Sequence, residues 1–174
     1  MPMIIFFVAQ NYKKKTLSEI LDIKKLEAVD KPIEEANGLP NECYTCSDYL
    51  AYEKKRVFCD NWTVIGVGSS IPKPGDVKPY NLLGIPLLLI RDKDMQIRVF
   101  HNVCSHRGFK LIEEECSLKN VIRCPYHSWS YDFRGNLVAT PHIGGLNNHQ
   151  SEQFDKKKVI LKKLNLEYGW ILYS

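Results

Sequence analysis

With 174 residues, 44% of them hydrophobic and 25% charged, the chain has the composition of a globular protein. It is long enough for one domain whose core needs no disulfide staples. A net charge of +4 is too small at this size to argue a nucleic-acid partner. Six irregularly spaced cysteines without a secretory signal do not make a disulfide scaffold, and no stretch nears the roughly eighteen apolar residues of a membrane span.

The apolar run Met3–Val8 is followed, not preceded, by lysines, the wrong order for a signal peptide. The expected setting is therefore cytoplasmic, with no membrane. Thr16-Leu17-Ser18-Glu19 fits a capping box, and Leu17, Ile20, Leu21, Ile23 and Leu26 predict an amphipathic helix over about 17–28. Residues 30–42 carry Pro, Asn and Gly and read as a linker. Ser47-Asp48 predicts the cap of a second helix reaching about Phe58, with Tyr49, Tyr52, Val57 and Phe58 on its apolar side. Cys43 and Cys46 form a C-x-x-C at the opening of that region. Without a second pair nearby they read as structural, as do Cys59 and Cys116.

From Asn61 the period changes. WTVIGV (62–67), VKPYNLL (77–83), IPLLLIR (85–91), QIRVFHN (96–102), NVIRC (120–124) and WSYDF (129–133) are short β-rich runs. Turn chemistry separates them at Pro74-Gly75-Asp76, Leu83-Gly84, Asp92-Lys93-Asp94 and Arg134-Gly135-Asn136. KVILKKLNL (158–166) and YGWILYS (168–174) complete the set. The expected organisation is a helical arm and linker, 1–60, followed by a mainly β antiparallel sandwich or barrel, 61–174. Lys156–Lys158 and Lys162–Lys163 read as a solvated face, with a docking face for an acidic redox partner as the sharper alternative.

Residues 101–129 hold three of the five histidines and three of the six cysteines. Cys104-Ser105-His106 and Cys124-Pro125-Tyr126-His127 are separated by seventeen residues, and each pair follows a predicted strand. Four such donors meet the need of a tetrahedral structural zinc. Zinc pairs, however, are usually like with like and spaced by two to four residues. Loops that each supply one Cys and one His suit a two-iron cluster in which one iron takes both thiolates and the other both imidazoles.

CSHRG (104–108) and CPYHSW (124–129) resemble the cluster loops of Rieske proteins. LLGIPLLLIRDKDMQIRVFHNVCSHRG (82–108) and the upstream YEKKRVFCDNW (52–62) resemble Rieske non-heme iron oxygenases. The resemblance covers about 44–174. It implies a Rieske-type antiparallel β-sandwich with a two-loop cluster-binding subdomain and a [2Fe–2S] cluster, with Cys104 and Cys124 on one iron and His106 and His127 on the other. It also implies supporting roles: Arg107 and Gly108 turning the first loop, Gly108 letting backbone N–H groups approach the sulfides, Pro125 fixing the second loop, and Trp129 shielding the cluster. Ser128 stands where the family commonly has Gly, with little consequence expected.

Respiratory Rieske proteins carry an extra, disulfide-forming Cys in each loop, and their second loop supplies hydroxyls to the sulfurs. The bridging positions here are Phe109 and Tyr126, so the oxygenase branch and a potential low in the Rieske range are expected. A complete oxygenase alpha subunit would continue into a catalytic domain holding mononuclear Fe(II) on two His and one carboxylate. The implied partners are a ferredoxin or flavin reductase as donor, and the catalytic domain or a neighbouring alpha subunit as acceptor. His142, His149 and Asp155 lie in a Gly/Asn-rich loop and are poor candidates for that triad; His101 reads as a strand residue. The alternatives are a free-standing Rieske-type ferredoxin carrier and a zinc-stabilised β interaction module.

Overall fold

The computed structural model describes residues 16–167 and the backbone of residues 4 and 5. Two compact units divide these residues between Thr63 and Val64, with Ile4–Ile5 belonging to the second.

In the first unit the capping box forms: the Glu19 carboxylate accepts from the Thr16 N–H at 2.6 Å and from its hydroxyl at 2.9 Å. The single helix expected over 17–28 is instead two, α1 (Leu17–Ile20) and α2 (Ile23–Glu27). Leu21 is extended and buried, and Asp22 caps α2 by accepting from the Lys24 N–H at 3.1 Å. An Asp inside the periodic run thus restarts the helix. Helix α3 (Glu42–Thr45) and α4 (Ser47–Glu53) meet at Cys46, which ends one and begins the other. Beyond Glu53 the winding becomes π-helical over Lys54–Cys59. The wider turn displaces the apolar stripe, so Val57, expected on the apolar side, is exposed while Cys59 is buried.

The second unit is mainly β, all its pairings antiparallel. Its strands are β1 (Ile4–Ile5), β2 (Asp76–Leu82), β3 (Ile85–Arg91), β4 (Ile97–His101), β5 (Cys116–Ser117), β6 (Ile122–Arg123), β7 (Ser130–Tyr131), β8 (Leu137–Ala139) and β9 (Leu166–Glu167). They form a four-stranded sheet β4-β3-β2-β5, a three-stranded sheet β6-β7-β8 and the pair β1-β9. Leu83 and Gly84 both have positive φ (53° and 96°), the two-residue hairpin geometry that sets Leu82 opposite Ile85. At the next turn the buried Asp92 carboxylate accepts from the Asp94 and Gln96 N–H groups and from Arg98 Nε at 2.6 Å, joining β3 to β4.

Leu87 to Ile90 of β3 are all buried, so both sheet faces are covered. Leu88 and Ile90 enter a core shared with Phe100, Ile122, Trp129, Tyr131, Phe133, Leu137 and Leu161, which unites the two larger sheets. Gly135, at φ +90°, closes its turn against Phe100; a Cβ there would lie 2.5 Å from that ring.

Two expected strands are absent. WTVIGV pairs with no strand among the described residues. The backbone just beyond it is held by side-chain bonds, with the Arg91 guanidinium donating to Ile71 O at 2.8 Å and Gly68 O at 2.6 Å. Over 158–166 only the bridges Asn136↔Ile160 and Phe100↔Lys163 form before β9, following a 3₁₀ turn at Lys156–Lys158. The apolar Leu161 and Leu164 are buried, but no strand edge runs beside them long enough to make a ladder. The expected strand 168–174 lies outside the described residues.

Candidate metal centre

Strands β4 and β6 each deliver the chain into a loop with one backbone design. In the first, the Cys104 N–H donates to Phe109 O (2.7 Å) and the Gly108 N–H to Cys104 O (3.0 Å). In the second, the Cys124 N–H donates to Trp129 O (2.8 Å) and the Ser128 N–H to Cys124 O (3.0 Å). The fourth residue after each cysteine is left-handed, Gly108 at φ +70° and Ser128 at φ +58°. The Gly108 N–H is therefore engaged within its own loop, and what the glycine supplies is its backbone angle.

Ser128 is not inconsequential: a side chain in that region costs about 1 kcal/mol. Its hydroxyl accepts from Arg123 at 2.8 Å on the exposed side, worth less than that at a solvated position. Ser128→Gly is expected to raise stability by about 1 kcal/mol, seen as roughly 2–4 °C in a thermal melt. A lower melting temperature would mean that the Arg123 bond outweighs the backbone strain.

Cys104 and Cys124 are buried at the bases of the loops. Burial holds the Cys104 thiol above its ordinary pKa; the hydroxyl of Tyr131 opposes this and Cys124 adds to it. That hydroxyl lies 3.2 Å from Cys104 Sγ and accepts from the Ser105 N–H at 3.0 Å. Tyr131 is fully buried, and burial first, then the Cys104 thiol, pushes its pKa far up. It stays protonated, with its hydrogen available to the sulfur. Pro125, at the position matching Ser105, has no N–H to offer.

The two imidazoles meet edge to face, centroids 4.8 Å apart at 71°. The His106 ring stacks on the buried Trp129 at 4.5 Å and 12°, and Trp129 meets Phe154 at 5.5 Å. His127 lies 3.7 Å from the Tyr126 ring. Burial, then His127 and the exposed Arg107, lower the His106 pKa and keep that ring neutral. His127 Nδ1 is buried with no hydrogen-bond partner, which leaves that nitrogen open to another group. Phe109 and Tyr126 are in ring contact at 5.4 Å across the loop tips, both largely exposed. Among the described residues no three or more His, Cys, Asp or Glu side chains converge on one point. What the loops bring together is a buried cysteine on each and two imidazoles in ring contact.

Two supports were not foreseen. Besides Tyr131, Asn102 is fully buried: its Oδ1 accepts from the Leu111 and Ile112 N–H groups (3.2 and 3.0 Å), and its Nδ2 donates to Ile112 O (2.7 Å). The clue for Tyr131 was a phenol inside an apolar strand, which needs a partner once buried. Cys116, grouped with inert buried thiols, is exposed on β5. His101 ends β4, with its N–H on Lys162 O at 2.9 Å.

His142 and His149 do approach, ring to ring at 5.0 Å. Each Nδ1, however, accepts a backbone N–H, from Asn147 (2.9 Å) and His142 (3.1 Å) respectively. The neutral rings then hold their hydrogens on Nε2 and have no free lone pair for a metal. Asp155 accepts from the Lys157 N–H at 2.9 Å, and no triad forms.

The Rieske [2Fe–2S] domain family matches residues 61–150. The chain is 34% identical over 141 residues to the carnitine monooxygenase oxygenase subunit of Escherichia coli K12, covering 81% of this chain and 37% of that protein. It is 31% identical over 135 residues to benzene 1,2-dioxygenase subunit alpha of Pseudomonas putida, covering 78% and 28%. Among solved structures, the quaternary ammonium Rieske monooxygenase CntA with gamma-butyrobetaine superposes with TM-score 0.67 at 33% identity, covering 76% of this chain and 36% of that one. Naphthalene 1,2-dioxygenase F352V with phenanthrene gives 0.60 at 30%, covering 69% and 26%. The chain thus spans roughly a third, or less, of each relative. Fold, paired loops and relatives agree: this chain belongs to the Rieske [2Fe–2S] family, and it corresponds to the Rieske domain of oxygenase alpha subunits.

Proposed function

We propose that the chain is the electron-transfer domain of an oxygenase alpha subunit, acting as an oxidoreductase component together with a catalytic domain outside these residues. Cys104 and Cys124 hold one iron of the [2Fe–2S] cluster, and His106 and His127 hold the other. The observation that carries this is a buried cysteine in each of two matching loops whose histidine rings meet at 4.8 Å, with His127 Nδ1 buried and without a hydrogen-bond partner. Such a cluster supplies one-electron transfer at a potential between roughly −150 and +300 mV.

The chain's own residues prepare that step. Trp129 covers one face of His106 and keeps water from it. The Tyr131 hydroxyl lies 3.2 Å from Cys104 Sγ, within reach to donate to a cluster-bound thiolate. Gly108 and Ser128 shape the loops, Pro125 stiffens the second, and Arg107 favours neutral imidazole at His106. Electrons come from a ferredoxin or flavin reductase. They leave for a mononuclear Fe(II) site in the catalytic domain of the same or a neighbouring subunit, a route supported by the CntA relative described for inter-subunit electron transfer. Quaternary ammonium and aromatic oxygenases match this domain at 34% and 31% identity, so the choice of substrate belongs to the catalytic part. Six unpaired cysteines among the described residues suit the cytoplasm.

Purified without oxygen, the protein should be brown and, once reduced, give a rhombic EPR signal with an average g below the free-electron value. A colourless protein containing one zinc per chain would overturn the assignment. Tyr131→Phe should retain the cluster but lower its potential, because a hydrogen bond to sulfur stabilises the reduced form. At about 1 kcal/mol per bond, the drop is on the order of 40 mV for a one-electron couple, measurable by redox titration. An unchanged potential would mean that the hydroxyl serves only Ser105.

A further inference from the structure

The net charge of the chain is +4, yet residues 152–163 alone hold five lysines against two acids. Lys157, Lys158, Lys162 and Lys163 are exposed. Of the two acids, Asp155 has one oxygen engaged by the Lys157 N–H and the other 4.0 Å from Lys158.

This segment does not sit just anywhere on the surface. Ile160 O accepts from Ser105 Oγ at 2.9 Å, within the first cysteine loop. Phe154 is in ring contact with Trp129, which also stacks on the His106 ring. The Lys162 carbonyl takes the His101 N–H, three residues before Cys104. The stretch therefore lies alongside the imidazole side of the centre, with Ile160 left exposed between its two lysine clusters. An apolar residue within a ring of like charge is the make-up of a transient interface, where charge steers the encounter and a small apolar contact fixes it.

We propose that residues 152–163 form the docking surface for an acidic one-electron carrier protein that reduces this domain; the proposal rests on the reading that the two loops hold a [2Fe–2S] cluster. In the docked pair one electron leaves the reduced carrier, which is oxidised by one equivalent. The cluster is reduced by one, and no atoms are exchanged. The lysines act before transfer, raising the encounter rate.

The test uses the cluster-loaded 174-residue chain, mixed in stopped flow with a pre-reduced plant-type [2Fe–2S] ferredoxin, an acidic carrier, and separately with photoreduced deazaflavin, a small one. For the wild type, the second-order rate with ferredoxin should fall as salt rises. The variant Lys156→Glu/Lys157→Glu/Lys158→Glu should lose about tenfold or more of that rate at low salt. Its visible and EPR spectra and its rate with deazaflavin should stay as in the wild type. Lys119→Glu, equal in sign but on exposed chain after β5, should change the ferredoxin rate little. A brown triple variant reduced by ferredoxin at the wild-type rate would overturn the docking surface, as would an equal loss in Lys119→Glu. A colourless wild type would overturn the cluster assignment instead, so the two failures are distinguishable.

Discussion

Replacing His127 with Cys is expected to leave a brown protein whose reduction potential falls by on the order of 100 mV or more. An imidazole ligand is neutral and a thiolate is an anion, so the exchange adds negative charge at the iron and favours the oxidised cluster. The gap between Rieske centres and all-cysteine ferredoxins near −400 mV sets the scale. His127→Cys is the cleaner of the two possible exchanges. His127 lies against Tyr126, whose ring is half exposed, and removing the imidazole there uncovers little core. His106→Cys should lower the potential in the same direction but also cost about 1 kcal/mol, because Trp129 loses its stacked partner. Redox titration followed by visible absorption measures both. A potential unchanged in either variant would show that the substituted histidine is not a ligand.

Asn102→Ala should be the most damaging single change outside the four proposed donors. The side chain is fully buried and satisfies two backbone N–H groups and one carbonyl of residues 111–112. Truncation leaves all three without partners in a site closed to water. At about 1–3 kcal/mol for each buried unsatisfied group, with partial relaxation, a loss of about 3 kcal/mol is expected. That corresponds to a fall of roughly 6–12 °C in melting temperature for a chain of this size. The damage should reach the centre, since Asn102 stands two residues before Cys104 and holds the chain that leaves the first loop; the Ala variant should retain less iron per chain. Asn102→Asp keeps the two acceptor contacts but sets an oxygen against Ile112 O in a buried site, so it should not restore wild-type stability. An Ala variant melting within about 1 °C of wild type would refute the bracing role, because that corresponds to less than 0.5 kcal/mol.

The two Cys/His loops were legible in the sequence. The spacing of Cys104, His106, Cys124 and His127 is local, and each pair is delivered by one short loop after one strand, so adjacency in the chain already implied adjacency in space. The β2–β3 hairpin was equally readable, since Leu83-Gly84 between two apolar runs admits few geometries. Errors arose where a segment's state depends on a partner distant in the chain. WTVIGV has strand composition but no strand beside it among the described residues, and β5 and β9 are two residues each, too short to announce themselves by pattern. Asp22 and the π-helical turn interrupt helices whose apolar spacing, read alone, runs straight through.

From the residues alone came the candidate donor set and the mainly β class, because residue spacing and turn chemistry are properties of neighbours in the chain. Tertiary structure decided the rest: that Tyr131 reaches Cys104 across 27 positions, that Ser128 takes the left-handed angle matching Gly108, and that Phe109 meets Tyr126 where respiratory relatives place a disulfide. It also decided that the lysine-rich stretch is fastened to the first cysteine loop. These are all contacts between loops far apart in sequence, and their geometry exists only once two sheets have closed on one core.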